Sequence, residues 1–219
     1  MTVLVELAGE SAGYSGTAVL HDIDLTIRAG ERVAVMGRSG AGKSTLLNLL
    51  YGRLADRVAL VPQGAALVKT LTVFHNVYMG RLDCHSTWFN LRTLVWPQRR
   101  LIGEVAAILD VVGLGDKLFA RAGELSGGQQ QRASVARALY NGRPILIGDE
   151  PVSALDRVQG AAVLARVAGR HETMILALHD ISLALAHMDR IVVLDGGRIV
   201  LDAPARSLSA ADLVPYYGG

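Results

Sequence analysis

The chain contains five short, continuous apolar runs, each bounded by turn-forming or polar residues. They are residues 32–36, 58–61, 145–147, 174–178 and 191–194. Uninterrupted apolar runs of this length are typical of strands that are buried on both faces of a parallel sheet. Because helix-like stretches separate the runs, the pattern predicts an α/β fold with a parallel-sheet core.

Two further segments, residues 3–7 and 23–27, alternate between apolar and polar residues. Such alternation is typical of half-buried antiparallel strands, and we expect the two segments to form an antiparallel β edge subdomain. Later in the chain, Asp195-Gly196-Gly197-Arg198 separates residues 191–194 from the strand-like residues 199–201. This spacing predicts a tight hairpin.

Residues 64–140 follow a largely helical pattern, in which residues 104–112 and 129–140 are the clearest elements. A length of 219 residues suits one large domain or a core with one inserted subdomain. We therefore predict a single domain, 1–219. Its α/β core consists of residues 1–63 and 141–219, and residues 64–140 form an inserted α-helical subdomain.

Apolar residues make up 51% of the chain, a share that a membrane protein could also have. No uninterrupted apolar segment approaches the roughly 20 residues that a spanning helix needs, so we attribute the excess to the buried sheet. Residues 1–7 carry no basic leader and Cys84 is the only cysteine, so we expect a cytoplasmic protein. The net charge of +2 does not provide the basic field of a nucleic-acid-binding domain, and we expect no nucleic-acid partner.

The apolar run at 32–36 leads into Gly37-Arg38-Ser39-Gly40-Ala41-Gly42-Lys43-Ser44-Thr45, and helix-like residues follow. A strand that turns through three glycines into a helix points backbone N–H groups and the positive end of a helix dipole at one place, which suits a polyphosphate. Lys43 would reach the β and γ phosphates, and the Ser44 hydroxyl would hold the accompanying Mg²⁺. The alternative is a glycine-rich turn without a ligand.

A second candidate anion site is Leu125-Ser126-Gly127-Gly128-Gln129, directly before an amphipathic helix. Ser126 can cap that helix, while the two glycines let the backbone approach a ligand closely. A single chain rarely needs two phosphate sites. We therefore predict a head-to-tail dimer, in which each nucleotide lies between the phosphate loop of one chain and this segment of the second copy. The alternative is an ordinary capped helix after a glycine turn.

Adjacent carboxylates follow the apolar run at 145–147, in Gly148-Asp149-Glu150. Open α/β sheets place their sites at such strand ends. Asp149 would support Mg²⁺ and Glu150 would orient or deprotonate an attacking water. His179, which follows the run at 174–178, can bond the γ phosphate or hold that water. A solvated Asp-Glu turn and a structural histidine are the alternatives.

Taken in order along the chain, these residues resemble the ATP-binding subunits of ABC transporters over nearly the whole sequence. The resemblance implies a P-loop NTPase fold and an ATPase whose cofactors are ATP and Mg²⁺. It identifies residues 37–45 as the Walker A loop and residues 125–129 as the signature. It also identifies residues 145–150 as the Walker B strand with its catalytic glutamate.

The same resemblance implies roles for four further residues. Gln63 corresponds to the Q-loop glutamine, which touches Mg²⁺ and opens the helical insert. Asp156 ends a D-loop, Ser153-Ala154-Leu155-Asp156, and His179 is similar to the switch histidine. Tyr14 is the best candidate for the aromatic residue that stacks on adenine, and the alternative is an ordinary exposed loop tyrosine.

The partners that the resemblance implies are a second copy of the chain, two transmembrane permease subunits and an extracytoplasmic solute-binding protein. The chain would then lie peripherally at the cytoplasmic face of the inner membrane. Some apolar residues of the insert are expected to form the permease docking groove, although packing inside the insert is favoured for most. These residues are Leu71, Val73, Phe74, Val77, Tyr78, Trp88, Phe89 and Trp96. Arg92, Arg99 and Arg100 could face lipid headgroups or the permease, or form a solvated face.

The chain departs from the family pattern in one place, because residues 45–63 are shorter than usual and lack most of a β-hairpin. This puts the antiparallel edge sheet in doubt. A narrower resemblance, to the ATPases of phosphonate or phosphite importers, rests on four segments. They are Gly80-Arg81-Leu82, Ser86-Thr87-Trp88, Gln129-Gln130-Gln131-Arg132 and Asp149-Glu150-Pro151-Val152. The alternative is that these segments are general features of bacterial importer ATPases.

Two other classes of function remain as alternatives. One is an ABC ATPase of an exporter, a lipoprotein-release or a cell-division complex, which only the membrane partner distinguishes from an importer. The other is an ABC ATPase that acts on nucleic acid or ribosomes. That class generally carries long coiled coils or two ATPase halves in one chain, and the sequence contains neither.

Overall fold

The computed structural model describes residues 2–14 and 16–217, so the outermost ends of the predicted 1–219 domain lie outside the described residues. A two-stranded antiparallel sheet is formed by β1 (Val3–Tyr14) and β2 (Thr17–Arg28). The edge sheet that the short segment 45–63 put in doubt is therefore present. Both strands extend beyond the predicted residues 3–7 and 23–27, because backbone pairing continues through polar residues that do not alternate.

The central sheet contains six strands in the order β4-β5-β6-β3-β7-β8. They are β3 (Arg32–Met36), β4 (Val58–Val61), β5 (Ile145–Asp149), β6 (Thr173–Ala177), β7 (Arg190–Asp195) and β8 (Arg198–Pro204). The first five strands in this order, from β4 through β3 to β7, pair with their neighbours in parallel. The last strand, β8, is antiparallel to β7. The predictions of the parallel core and of the hairpin at 195–198 are confirmed.

Within the described residues, eight α-helices connect and cover the strands. They are α1 (Lys43–Leu54), α2 (Val73–Tyr78), α3 (Thr87–Val95), α4 (Arg99–Val111), α5 (Gly127–Asn141), α6 (Arg157–Ala168), α7 (Ile181–His187) and α8 (Ala210–Leu213). Helices α2 to α4 and nearly all of α5 lie within the predicted insert, and α5 ends one residue beyond it. No helix among the residues in the two described ranges is long and apolar enough to cross a membrane.

The central sheet separates two hydrophobic clusters, because successive side chains of a strand point to opposite faces. In β3, Ala34 and Met36 belong to a cluster with residues of α2, α4, α5, α6 and α7. Val33 and Val35 belong to the other cluster, which contains residues of α1 and of the two-stranded sheet. The carboxyl ends of β3, β5 and β6 lie at one edge of the sheet, where the predicted site residues follow.

Candidate functional site

The loop between β3 and α1 has a backbone that glycine alone adopts easily. Gly37 has φ of 135°, and a Cβ at this position would collide with the carbonyl oxygen of Leu194. Gly42 precedes α1 with φ of 103°, and its Cβ would lie 2.7 Å from Leu20 Cδ2. Residues with side chains rarely adopt such φ values. The glycine spacing thus fixes the turn that aims the start of α1 into the loop.

Lys43 is the first residue of α1, and its side chain is only 6% exposed. Its Nζ donates to the carbonyl oxygens of Gly37 at 2.8 Å and Arg38 at 2.9 Å. Burial lowers the pKa of Lys43, and the carboxylates of Glu150 and Asp149 oppose this shift. The ammonium group is held by neutral carbonyls inside the loop, which is a suitable arrangement for attracting a phosphate.

A cavity of about 170 Å³ lies against this loop. It is lined by Val19, Ser39, Gly40, Gly42, Lys43, Ser44, Thr45, Gln63 and Glu150. The structure thus brings the predicted phosphate loop together with the predicted Q-loop glutamine and the predicted catalytic glutamate. Asp149 ends β5 and acts on Lys43 through its charge, but it does not line this cavity. Ala41 is buried inside the loop and packs in the cluster around α1.

Glu150 follows β5 in the left-handed region, with φ of 54°. Its N–H donates to the carbonyl oxygen of Ala177 at the end of β6, at 3.2 Å. Its carboxylate Oε1 lies 2.5 Å from Nε2 of His179. A glutamate with positive φ stores backbone strain, which is common at functional sites. Two strand ends therefore hold the two predicted catalytic side chains in direct contact.

A second cavity, of about 180 Å³, is also lined in part by Glu150. His179, Ser153 and Asp180 are among its lining residues. Glu150 is the residue that lines both this cavity and the one at the phosphate loop. Glu150 thus connects the phosphate-loop cavity with the cavity that His179 lines, and it can accept a proton from water beside the phosphate loop.

Other predicted site residues lie outside the phosphate-loop cavity. Ser126 caps α5, because its hydroxyl accepts a hydrogen bond from Gln129 N at 3.3 Å. In return, Gln129 Oε1 accepts from Ser126 N at 2.9 Å. Gly127 and Gly128 lie in the first turn of that helix. Asp156 caps α6 by accepting from Gln159 N at 2.9 Å. The hydroxyl of Tyr14 accepts from Asn48 Nδ2 at 3.1 Å, and its side chain is 56% exposed.

Two residues near the site received no role from the sequence. Gln131 of α5 donates to the carbonyl oxygen of Glu150 and to Ser153 Oγ, and it accepts from Ala154 N. Its spacing of four from Val135 places a polar side chain on the buried face of α5, which was the available signal. Tyr217 bonds Gly37 and the residue before His179, and no local pattern marked it.

The donor set fits a nucleotide that carries its own metal ion. Across residues 2–14 and 16–217, no group of three or more His, Cys, Asp or Glu residues forms a metal cluster. In the phosphate-loop cavity, the Ser44 hydroxyl and the Gln63 amide oxygen are hard oxygen ligands of the kind that Mg²⁺ takes beside phosphate oxygens. Ser44 and Gln63 could therefore hold Mg²⁺ together with the phosphates, with Asp149 nearby.

Comparisons with known proteins agree with this geometry. The ABC transporter family matches two overlapping segments of the chain, residues 20–57 and 53–153. The chain is 40% identical over 240 residues to the phosphonates import ATP-binding protein PhnC of Anaeromyxobacter dehalogenans. That match covers 96% of this chain and 47% of the relative, so the chain spans about half of that protein's length. It is 38% identical to PhnC 2 of Pseudomonas aeruginosa, over 92% of this chain and 86% of that protein.

Among solved structures, the dimeric post-hydrolysis state of the ATP-binding cassette MJ0796, bound to ADP and Pi, has the same fold. The TM-score is 0.73 at 24% sequence identity, and the match covers 93% of this chain and 99% of that chain. The predicted P-loop NTPase fold, with a mixed central sheet, a two-stranded antiparallel sheet and a helical region, is thereby confirmed. With the family matched over more than half of its length, the chain belongs to the ATP-binding proteins of ABC transporters and is the ATPase subunit of such a transporter.

Proposed function

We propose that this chain hydrolyses Mg²⁺-ATP in the cavity at the phosphate loop and uses the energy to power solute import, with a phosphonate or phosphite as the solute. The observation that supports the proposal most strongly is the convergence of Lys43, Ser44, Gln63 and Glu150 on a single cavity. An ordinary glycine turn, the alternative reading of the loop, does not explain a buried lysine folded onto its carbonyls.

Binding of the triphosphate would rest on Lys43 and on the N-terminal end of α1. The twelve residues of α1 direct their helix dipole and free N–H groups toward the loop, which favours a negative charge there. Lys43 would transfer its hydrogen bonds from the carbonyls of Gly37 and Arg38 to phosphate oxygens. Mg²⁺, when bound, neutralises charge on the β and γ phosphates.

Hydrolysis would rest on Glu150 and His179. With the tautomer that carries a proton on Nε2, His179 donates to Oε1 of Glu150 and fixes the plane of the carboxylate. The second carboxylate oxygen then remains to orient the attacking water and to accept its proton. The side chain of Glu150 is 22% exposed and that of His179 is 41% exposed, so water can reach both groups.

The signature residues would act on the nucleotide of a second copy. Ser126, Gly127, Gly128 and Gln129 start α5, and none of them lines the phosphate-loop cavity of their own chain. A head-to-tail dimer gives them a phosphate to bind, and the related cassette MJ0796 has been solved as a dimer with ADP and Pi. Tyr14 stacking on adenine, and contact of Asp156 with the nucleotide across the dimer, belong to the same proposal.

The proposed permease contact is the helical subdomain of residues 64–140. It holds an apolar groove of about 320 Å³ lined by Leu71, His75, Tyr78, Met79, Leu82, Thr87, Asn90, Leu91 and Leu94. Val73, Phe74 and Val77 are buried and pack inside the subdomain, whereas Trp88 and Trp96 are 83% and 74% exposed. The exposed Arg92 lies on α3 beside groove residues, and the exposed Arg99 begins α4. Arg100 pairs with Glu104 at 2.9 Å.

The groove, together with the exposed Trp88 and Trp96 of the same subdomain, suits two transmembrane permease subunits, since large exposed apolar patches mark interaction sites. Import further requires an extracytoplasmic solute-binding protein, and the chain itself would be peripheral at the cytoplasmic face of the inner membrane. The names of the relatives support phosphonate import. The alternative is an exporter, lipoprotein-release or cell-division complex. Co-purification of the membrane subunits, with ATPase stimulation by phosphonate and its binding protein, distinguishes the two.

The first experiment replaces the proposed base and the proposed phosphate ligand separately. Glu150→Gln should still bind ATP, lose hydrolysis by a factor on the order of 100 or more, and accumulate a closed dimer. Lys43→Ala should weaken ATP binding itself. Lys69→Ala and Glu172→Gln, at exposed positions away from the cavity, are matched controls that should behave like the wild type. Near-normal turnover in Glu150→Gln would remove the assigned base.

The second experiment tests the dimer by complementation. Lys43→Ala damages the phosphate loop and Ser126→Arg damages the signature, so each variant alone forms only defective sites. In a mixed dimer, one site combines the intact loop of one chain with the intact signature of the other. Mixing the two inactive proteins should therefore restore part of the activity. No recovery in a mixture that forms dimers would contradict the head-to-tail arrangement.

A further inference from the structure

Tyr217 connects the phosphate loop to the segment that carries His179. Its hydroxyl accepts a hydrogen bond from Gly37 N at 3.1 Å and donates one to the carbonyl oxygen of Leu178 at 3.2 Å. Its ring meets the imidazole of His179 edge to face, with centroids 6.3 Å apart. One side chain from near the end of the chain thus contacts two segments that are far from it in sequence.

The bond to Gly37 completes the hydrogen bonding of a peptide group at the start of the loop. Gly37 is buried, its carbonyl oxygen accepts from Lys43 Nζ, and its N–H donates to Tyr217. A buried N–H without a partner is costly, and the hydroxyl of Tyr217 provides the partner for this one. Lys43 and Tyr217 therefore bond the two backbone polar groups of Gly37, its carbonyl oxygen and its N–H respectively.

The second bond of Tyr217 is to the carbonyl oxygen of Leu178, the residue that precedes His179. Leu178 is itself buried, and its N–H donates to Val35 O in β3. The carbonyl oxygen of Leu178 is then the second backbone polar group of this residue that needs a partner, and Tyr217 provides it. Burial raises the pKa of the Tyr217 phenol and the Glu150 carboxylate adds to this, although the bond from Gly37 opposes it. The hydroxyl therefore stays protonated at neutral pH and keeps donating to Leu178.

We infer that Tyr217 is a positioning residue for hydrolysis, which fixes the backbone before His179 relative to the first residue of the phosphate loop. The inference rests on the proposed roles of Glu150 and His179. Tyr217 lines neither the phosphate-loop cavity nor the cavity beside His179. It acts through the orientation of His179, and so of the carboxylate that His179 holds at 2.5 Å.

The test is a double-mutant cycle in the purified chain, with ATP as the only ligand besides Mg²⁺. Tyr217→Phe removes both hydrogen bonds and keeps the ring against His179. It should lower kcat about tenfold and change ATP affinity by less than about twofold, because the groups proposed to bind phosphate are unaltered. In a His179→Ala background, the same substitution should change kcat by less than about twofold. Tyr216→Phe, the neighbouring half-buried tyrosine, is the matched control.

Three outcomes would overturn the inference. These are a wild-type kcat in Tyr217→Phe, an equal loss in the presence and absence of His179, or a loss confined to ATP affinity. The proposed function fails separately, if His179→Ala or Glu150→Gln keeps full activity while Tyr217→Phe is impaired. Thermal unfolding of all variants separates a loss of kcat from a loss of fold. Tyr217→Phe should lower the Tm by a few degrees and remain folded at the assay temperature.

Discussion

Replacement of Gln131 by methionine removes a polar bridge between α5 and the segment after β5. The Gln131 side chain is 7% exposed and makes three hydrogen bonds, to Glu150 O, Ser153 Oγ and Ala154 N. Methionine has a similar length and flexibility but can make none of these bonds. The substitution therefore tests what the bridge contributes, with little change in volume.

The magnitude follows from these contacts. A neutral hydrogen bond contributes about 1 kcal/mol, so three bonds give about 3 kcal/mol. Ser153 and Ala154 are exposed, so water replaces part of their bonding, and the buried methionine adds some apolar contact. The net loss in the free energy of unfolding should be about 2 kcal/mol. For a domain of this size, this corresponds to a decrease in Tm of about 6 °C.

Thermal and urea unfolding of Gln131→Met measure this loss, and Gln130→Met provides the control. Gln130 makes a single side-chain bond, to Leu125 O at 3.0 Å, and its replacement should cost less than half as much. ATP hydrolysis by Gln131→Met should also fall, because the carbonyl of Glu150 loses a donor that helps to hold its strained backbone. Equal stability of the two variants would refute the reasoning.

Two further predictions concern other parts of the chain. The Arg100 guanidinium holds the pKa of Glu104 below its ordinary value, against burial and with help from the hydroxyl of Tyr140. This contribution to the free energy of unfolding is fully present at pH values above the ordinary glutamate pKa. It is lost as the pH falls through the lowered pKa of Glu104 in the folded protein. In Glu104→Gln, the free energy of unfolding measured by urea should therefore decrease less steeply as the pH falls below about 4.5 than it does in the wild type. Ser126→Ala removes the cap of α5 and should cost about 1 kcal/mol in the same assay, and Ser86→Ala, at the cap of α3, should cost a similar amount.

The sequence predicted the elements whose signal is local. The bounds of β3 and β4 match the predicted runs, because the buried positions of both strands are apolar, as in a sheet covered on both faces. In β6 the strand begins one residue earlier, at Thr173. A polar residue is acceptable there because its hydroxyl accepts from Gly30 N at 2.9 Å, a contact between residues far apart in sequence.

In the candidate site, too, the sequence predicted the parts that have a local signal. The phosphate loop and the two carboxylates at the end of β5, Asp149 and Glu150, follow from spacing, since glycine positions and strand ends are local features. The contacts of Gln131 and Tyr217 are not local, because they join residues about 20 and 180 positions apart. A hydrophobic pattern gives the face on which a side chain lies. It does not give the polar partner that the side chain meets there.

The alternation of side chains in β3 has a consequence for how this protein can change over time. Ala34 and Met36 pack with the helices on one side of the sheet, whereas Val33 and Val35 pack with α1 and the two-stranded sheet. The helices on one face of the sheet, and α1 with the two-stranded sheet on the other, thus draw their buried apolar packing from separate clusters. We therefore expect apolar substitutions within one cluster to require little repacking in the other, so the two faces of the sheet can diverge in sequence independently.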